Sequence, residues 1–406
     1  METKLTRLHP PQLPRGFIAA GGSCGVKKDG GPDLALLYSE SEAAIAAAFT
    51  TNRVAAAPVR LSREVAASGR CRAVIANSGC ANAATGEKGM EDARRMAEKT
   101  AAALDLDPAL VAVASTGRIG RYLPIDRIER GIDELASVIR EGGNEFAPAA
   151  IMTTDTRPKE VACDFEAEGR PARIWGIAKG AGMLYPKMRV AAPPRATMFC
   201  FLLTDLAADP GFLRSALAAA LEQSFNRITV DADTSTNDTV ILLANGRSGA
   251  KAGPGSAGAT AFRAALDRTS RELAWMIVAD GEGAGKFVAI EVTGAASDDD
   301  ARRAAAAVAN SPLFKCALYG ENPNWGRLLA ALGYSGAELE EGKIAVWAGE
   351  LEVVRGGLLV EVAPGRAEEE LRREKISLRV DLGLGEGRDV YYTCDFTPEY
   401  VEINKE

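Results

Sequence analysis

Residues 179–205 read KGAGMLYPKMRVAAPPRATMFCFLLTD, and this stretch decides the kind of fold. Its glycine-rich start leads into a loop, because Pro193 and Pro194 forbid a helix there. Ala196 and Thr197 then open the apolar run 198–204, which has the length and composition of a buried strand. A threonine at such a junction is most simply a β-branched strand former. The stretch therefore predicts a loop that runs directly into a buried strand.

Strand-like and helix-like segments alternate along the rest of the chain without a short repeat. The predicted strands are rich in Val, Ile, Leu and Phe and cover 71–76, 110–114, 198–204, 239–243, 287–293, 344–354, 376–382 and 390–394. The predicted helices cover 90–104, 125–141, 211–227, 260–279 and 298–309. Ser297 is the expected N-cap of the last helix, and 245–259 is expected to be an exposed loop. This mixture predicts an α/β or α+β fold.

Composition argues against several classes of function. The chain has 406 residues and a formal net charge of −7, so it offers no electrostatic attraction for nucleic acid or anionic lipid. No apolar run approaches the roughly 18 residues of a membrane span, and the N-terminus lacks the apolar core of a secretory signal. The seven scattered cysteines form no C-x-x-C pair, which favours reduced thiols. We therefore expect a cytoplasmic protein.

The histidine count restricts the chemistry most. His9 is the only histidine, so a Ser-His-Asp triad has almost no candidate base and a His-rich metal site is excluded. An N-terminal threonine needs no histidine, because its own α-amine, which titrates near pH 8, can accept the proton of its hydroxyl. Thr197 would gain such an amine if the chain were cut after the small residue Ala196.

Motifs along nearly the whole chain are similar to those of one enzyme family. They are GFIAAGGSCGVKKDGGPDLALL (16–37), FTTNRVAAAPV (49–59), ANSGCANAATGEKG (76–89), ASTGRIG (114–120), IMTTDTRPK (151–159), AKGAGM (178–183), ATMFCFLLTD (196–205), DADTSTNDTV (231–240), DGEGAGKF (280–287), NPNWGRLLAALG (322–333) and CDFTPEYVEIN (394–404). The sequence resembles the bifunctional ornithine acetyltransferase / N-acetylglutamate synthase family of arginine biosynthesis. This resemblance implies a self-processing, layered α/β fold of the N-terminal-nucleophile type.

The resemblance also implies roles for individual residues. Thr197 corresponds to the processed nucleophile and Ala196 to the last residue before the cut. Thr116 and Gly117 correspond to the oxyanion hole, where a glycine lets its amide approach a ligand closely. The family's substrate-contacting positions match Thr153, Thr154, Lys179, Thr197, Glu282 and Asn404, and the sequence does not decide between the two neighbouring threonines.

The implied reaction moves an acetyl group from N2-acetylornithine to glutamate through acetyl-Thr197, and acetyl-CoA is a further donor in bifunctional members. No metal or organic cofactor is implied. Lys179 suits the substrate carboxylate and Glu282 the side-chain ammonium of ornithine. The fragments 1–196, with the oxyanion hole, and 197–406, with the nucleophile at its start, would assemble as a heterotetramer of two copies each.

The sequence departs from the family pattern at three places. RVAAPPR (189–195) is inserted before the cut site, which lengthens the loop that must be strained for self-cleavage. The chain ends at Glu406 without the usual Tyr-Arg-Thr/Ser ending, which bears on substrate affinity. Ala232 stands where glycine is usual, in a segment (231–239) interpreted as a polar turn near the active centre in which Asn237 and Asp238 bond backbone.

Two other functions remain open from the sequence. The first is a self-processing aminopeptidase or amidase of related fold, in which water replaces the amine acceptor. The second is an unprocessed, non-catalytic homologue that binds amino acids, which the inserted loop and the shortened C-terminus keep open.

Overall fold

The computed structural model describes residues 5–188 and 198–405, so the predicted cut site at Ala196 and Thr197 lies outside the described residues. The chain forms two compact units. The first unit comprises Met1–Asn226 and Thr234–Ile277, and the second comprises Arg227–Asp233 and Val278–Glu406. Each unit combines a β-sheet with helices, so the predicted α/β class is confirmed.

The first unit is built around one large sheet. Its strands are β1 (Thr6–Arg7), β2 (Phe17–Gly22), β3 (Leu34–Phe49), β4 (Arg70–Cys80), β5 (Val111–Arg118), β6 (Lys159–Ala167), β7 (Arg170–Lys179), β8 (Phe199–Thr204) and β9 (Thr239–Ala244). Its helices are α1 (Ala57–Ser68), α2 (Gly86–Leu104), α3 (Ile125–Arg140), α4 (Ala147–Ala150), α5 (Pro210–Glu222) and α6 (Ala257–Ala279). Within the described residues the strand order is β1-β6-β7-β8-β9-β3-β4-β5, and β2 pairs with β3. β8 thus lies between antiparallel β7 and parallel β9.

Helices cover both faces of this sheet. Successive residues of a strand point to opposite sides, so each strand can contribute side chains to both faces. Along β4, Ala73 and Ile75 pack into one apolar cluster, whereas Val74 and Ala76 pack into another. The first cluster includes the inner faces of α2 and α3, and the second includes α1 and much of β8. All six residues of β8 are buried. A strand that is buried on both faces needs a nearly continuous apolar sequence, which explains the composition of β8.

The second unit contains a smaller mixed sheet. Its strands are β10 (Phe287–Ala295), β11 (Ala345–Ala348), β12 (Leu351–Arg355), β13 (Leu358–Leu359), β14 (Lys375–Asp381) and β15 (Gly387–Cys394), in the order β13-β12-β11-β14-β10-β15. Its helices are α7 (Asp298–Ala309), α8 (Pro312–Tyr319), α9 (Trp325–Gly333), α10 (Arg366–Leu371) and α11 (Pro398–Ile403). α7 packs on β10 and β15. It begins after Ser297, whose hydroxyl accepts the Asp300 N–H at 3.1 Å, so the predicted N-cap is confirmed.

Most predicted elements are present with boundaries shifted by a few residues. The predicted strand 344–354 is instead two antiparallel strands, β11 and β12, because Gly349 adopts φ +57 and turns the chain between them. The predicted loop 245–259 is shorter, since α6 already begins at Ala257. Among the described residues, no helix combines the length and apolar character that crossing a bilayer demands.

Candidate active site

The predicted oxyanion-hole residues lie at the end of β5. Thr116 pairs with Ser78 and Gly117 with Gly79 of parallel β4. Thr116 is buried. Gly117 has φ +125, and a Cβ at this position would lie 2.6 Å from the amide nitrogen of Cys80. Only glycine therefore satisfies both the backbone conformation and the space.

Three consecutive residues connect this strand end to the strand that follows the predicted cut. Asn237 donates from Nδ2 to the carbonyl oxygens of Ser115 (2.6 Å) and Ala81 (2.5 Å). Two residues further on, the Thr239 N–H donates to the carbonyl of Met198 at 2.9 Å. Ser115 precedes Thr116 in the chain and Met198 follows Thr197. The sequence positions expected to stabilise the oxyanion and to supply the nucleophile are thus linked through 237–239.

Asp238, in the middle of this link, behaves differently from the prediction. We expected it to bond backbone like Asn237, but its side chain is fully buried and neither carboxyl oxygen has a hydrogen-bond partner within the described part of the chain. Burial raises the pKa of Asp238 well above its ordinary value, and the nearby charge of Lys179 opposes this only in part. Burial therefore disfavours the ionised form of Asp238.

Lys179 is the last residue of β7 and belongs to a buried ionic cluster. Its ammonium nitrogen lies 4.0 Å from Oδ2 of Asp155, and Lys159 makes a shorter contact of 2.6 Å with Oδ1 of the same carboxylate. Burial alone would raise the pKa of Asp155, but Lys179 and Lys159, with the Gly180 amide, hold it below its ordinary value. Asp155 is therefore a buried anion.

The two candidate threonines lie in the turn between α4 and β6. Thr153 is half-buried and Thr154 is exposed. The Thr153 N–H donates to Oδ2 of Asp155 at 3.0 Å, which connects this turn to the Lys179 cluster.

The remaining predicted positions lie in the second unit. Glu282 is half-buried in the turn before β10, and Asn404 is the C-cap residue of α11. Asn404 donates from Nδ2 to Oε2 of Glu282 at 2.7 Å. Nearby, the Tyr400 hydroxyl donates to Oδ2 of Asp231 at 3.2 Å, and burial together with the Asp231 charge raises the pKa of Tyr400. The structure thus brings Glu282 and Asn404 together beside further acidic groups.

Ala232 occupies the position where the family usually has glycine. Its backbone adopts φ +64, in the left-handed region that favours glycine. Its N–H donates to the Thr229 hydroxyl at 3.2 Å. The usual glycine therefore has a conformational reason, and this chain carries a strained residue in its place.

Sequence reasoning missed two members of the ionic cluster, Asp155 and Lys159. Both lie within the motif IMTTDTRPK, but charged residues around Arg157 and Pro158 have the appearance of an exposed turn. No local signal marks them as buried, because their burial depends on how β6 and β7 pair.

Comparison with known proteins agrees with these observations. The ArgJ family pattern matches residues 18–406. The chain is 47% identical to the arginine biosynthesis bifunctional protein ArgJ of Symbiobacterium thermophilum, covering 96% of both chains. It is also 47% identical to the ArgJ protein of Geobacter sulfurreducens, covering 96% of this chain and 98% of that protein. A crystal structure of ornithine acetyltransferase complexed with ornithine from Mycobacterium tuberculosis shares 41% identity, with a TM-score of 0.42, over 46% of this chain and all of that chain. This chain belongs to the ArgJ family.

Proposed function

We propose that this chain is a glutamate N-acetyltransferase that moves an acetyl group from N2-acetyl-L-ornithine to L-glutamate through acetyl-Thr197. The enzyme is an acyltransferase of arginine biosynthesis. The intermediate forms after the chain cuts itself between Ala196 and Thr197. Acetyl-CoA is a second donor for glutamate if this chain is bifunctional like its relatives.

One observation carries the proposal. Asn237 bonds the carbonyl of Ser115, and Thr239 bonds the carbonyl of Met198, so the neighbours of Thr116 and of Thr197 are held by one short segment. A nucleophile and its oxyanion donors must be held at fixed separation for acyl transfer, because the donors act where negative charge develops. The buried segment 237–239 supports a fixed separation, because it is hydrogen-bonded to the chain neighbours of both positions.

The charged residues to which the resemblance gives a binding role suit the proposed substrates. N2-acetylornithine and glutamate both carry an α-carboxylate, which complements Lys179 in its buried cluster. Ornithine also carries a side-chain ammonium, which complements Glu282, and Asn404 orients that carboxylate through its 2.7 Å hydrogen bond.

In the first half-reaction the Thr197 α-amine takes the proton of its own hydroxyl, and Oγ attacks the acetyl carbonyl carbon. Thr116 and the amide of Gly117 stabilise the oxyanion of the tetrahedral intermediate. The intermediate collapses by breaking the bond to the ornithine nitrogen, which receives the proton held by the Thr197 amine. Ornithine leaves and the acetyl ester of Thr197 remains.

In the second half-reaction the neutral α-amine of glutamate attacks the acetyl carbon of this ester. The same donors stabilise the second oxyanion. The Thr197 amine takes one proton from the attacking glutamate nitrogen and passes it to Oγ, which leaves as the free hydroxyl. The products are N-acetylglutamate and the free N-terminal threonine. Because the two substrates use one site in turn, steady-state kinetics should follow a ping-pong pattern.

We further propose that the fragments 1–196 and 197–406 remain together as a cytoplasmic heterotetramer with two copies of each. The cut would fall within the first unit, between β7 and β8, which are paired through six residue pairs.

Intact-mass spectrometry before and after incubation with N2-acetylornithine tests the proposal. The purified protein should give two fragments split between Ala196 and Thr197. Incubation should add one acetyl group to the C-terminal fragment, and glutamate should remove it. Thr197→Ala should give one uncut chain without the adduct. An active preparation that stays uncut, or normal turnover by Thr197→Ala, would contradict the proposal.

The same samples separate the rival functions. An aminopeptidase or amidase would release free acetate or ornithine without forming N-acetylglutamate. A non-catalytic binder would stay full-length and bind amino acids without acquiring an acetyl group.

A further inference from the structure

A depression on the first unit lies between α3 and the loop that follows β2. Its volume is about 350 Å³, and Arg127, Arg130 and Glu134 of α3 line it together with residues 23–25. Arg127 and Arg130 are three residues apart on the helix, so their side chains lie on one face. Arg127 donates from Nη1 to the Gly25 carbonyl at 3.0 Å, whereas the Arg130 guanidinium makes no ion pair or hydrogen bond within the described part of the chain. Both guanidinium groups therefore retain unused donors.

The other acidic residues of α3 lie on the side of α2. Three ion pairs join them to that helix, namely Arg95–Asp126 at 3.0 Å, Arg95–Glu129 at 2.8 Å and Lys99–Asp133 at 2.7 Å. These carboxylates are engaged away from the depression. An anion bound there would meet one acidic side chain of α3, that of Glu134.

The loop beside the depression leads to the end of β4. Asp33, which has 0% exposure, accepts three backbone N–H groups of residues 24–27 at 2.6–2.9 Å and holds this part of the loop in place. The loop packs on Gly79, where a Cβ would lie 3.2 Å from the side chain of Val26. Gly79 pairs with Gly117 of β5. The depression is thus connected to the strand end that carries the expected oxyanion hole.

A third arginine lies closer to Gly117. The Arg121 carbonyl accepts the Cys80 thiol at 3.3 Å, and the Cys80 amide is the group that a Cβ at Gly117 would approach to 2.6 Å. Arg121 is exposed, and its guanidinium has no partner among the residues that the structure describes. Tyr122, the next residue, is 64% exposed. Guanidinium groups bind phosphate oxygens through paired hydrogen bonds, and an exposed aromatic ring can stack on a base.

We propose that Arg121, Arg127 and Arg130, the arginine row, bind the phosphate groups of an acyl thioester whose carrier is a nucleotide, the chemistry of acetyl-CoA, while the acetyl end reaches Gly117. The inference rests on the proposed function, which assigns acyl transfer to Gly117 and Thr197. N2-acetylornithine carries no phosphate, so the arginine row serves the second donor alone. In that transfer the acetyl C–S bond breaks in place of a C–N bond. The departing sulfur takes the proton of the Thr197 hydroxyl and leaves as the free thiol.

Calorimetric titration with CoA measures the phosphate contacts without turnover. Arg127→Gln/Arg130→Gln should weaken CoA binding about tenfold, because two guanidinium groups lose charge-assisted bonds to phosphate. Pantetheine, which has the same thiol arm without phosphate, should bind the variant and the wild type equally. Glu134→Gln should instead tighten CoA binding about threefold, since it removes the acid that lines the depression.

Arg94→Gln/Arg140→Gln is the matched control, because it removes the same charge from two exposed arginines of the first unit outside the arginine row. Arg140 donates to the Ala103 carbonyl of α2. This control should change CoA binding by less than about threefold.

An acetyl-transfer assay with glutamate as the acceptor gives a second readout. Arg127→Gln/Arg130→Gln should lower kcat/KM for acetyl-CoA about tenfold. The values for N2-acetylornithine and S-acetylpantetheine, which lack phosphate, should change less than about threefold. A merely structural role of the two arginines would lower all three values together.

Four results would overturn the inference. They are CoA that binds the wild type no more tightly than pantetheine does, CoA binding that the arginine variant leaves unchanged, inorganic phosphate that binds as tightly as CoA, and a wild type that binds CoA but takes no acetyl group from acetyl-CoA. If the double variant does not fold, Arg130→Gln decides alone with an expected loss of about threefold in CoA binding. A protein that transfers no acetyl group from N2-acetylornithine would instead contradict the proposed function, so the two failures are distinguishable.

Discussion

Replacing Gly117 with alanine is expected to damage stability and catalysis together. The new Cβ would lie 2.4 Å from the carbonyl carbon of Gly79 and 2.6 Å from the amide nitrogen of Cys80, whereas ordinary contact begins near 3.4 Å. β5 and β4 would have to separate by about 1 Å, which stretches a ladder hydrogen bond from about 2.9 Å to about 3.9 Å, beyond its useful range.

The magnitude follows from these displacements. Two weakened ladder bonds cost about 1 kcal/mol each. Holding alanine at φ +125 costs a further 1–3 kcal/mol or so. We therefore expect the free energy of unfolding to fall by about 3–5 kcal/mol. If the Gly117 amide is an oxyanion donor, its displacement should also lower kcat/KM by about 100-fold.

Gly120→Ala provides the matched control. Gly120 lies two residues beyond β5, has φ +78, and a Cβ there would meet no atom within 4 Å. This variant carries the backbone strain without the collision, so it should lose only about 1 kcal/mol and little activity. Denaturant midpoints and kcat/KM for N2-acetylornithine would be measured on both proteins. Equal losses in the two variants would refute the argument that the close approach to β4 demands glycine.

Three further predictions follow from single side chains. Ala232→Gly should raise the free energy of unfolding by about 0.5–1 kcal/mol, because it relieves the strain at φ +64, and an unchanged or lower melting temperature would contradict this. Because the folded state lowers the pKa of Asp155, its ionised form stabilises the fold above about pH 4, and this contribution is lost as pH falls through the folded-state pKa. The stability gap between wild type and Asp155→Asn should therefore narrow in acid, and a gap that is constant with pH would be inconsistent with a charge effect. Glu282→Gln keeps an oxygen for Asn404 but loses the charge, so kcat/KM for N2-acetylornithine should fall about tenfold while glutamate use changes less; equal losses for both substrates would count against an ammonium partner.

Local sequence patterns predicted much of the fold where one interaction dominates. α7 was predictable over its full length, because Ser297 caps it and the acids of its first turn favour a helix N-terminus. β8 and β9 were predictable because both faces are buried and all residues but one threonine in each strand are apolar.

β3 was not predictable in the same way. Its sequence, LALLYSESEAAIAAAF, is rich in the helix formers Ala and Glu. It is a 16-residue strand because it pairs with β2 and β4, its neighbours along the chain, and with β9, which is distant in sequence. Tertiary pairing overrides the local preference there.

In the candidate site, too, some residues could be predicted from the sequence and others depend on tertiary structure. Thr116, Gly117 and Lys179 were identified through the resemblance, but the reason for glycine at 117 is a collision with β4 that only the paired strands reveal. Asp155 and Lys159 had no individual signal, since their burial arises from the folding of β6 and β7 around them. Charge in a turn is usually solvated, and here the sheet encloses it.

β8 is hydrogen-bonded to β7 along one side and to β9 along the other. A break before Thr197 would leave β7 in one fragment and β8 in the other. The two strands would still be hydrogen-bonded to each other within a sheet that is covered on both faces. If the two fragments were produced from separate genes, each would expose an unpaired strand edge to water, and such edges promote aggregation. We therefore expect cleavage to follow folding, and the cleaved protein should melt in a single cooperative transition, as an unbroken domain would.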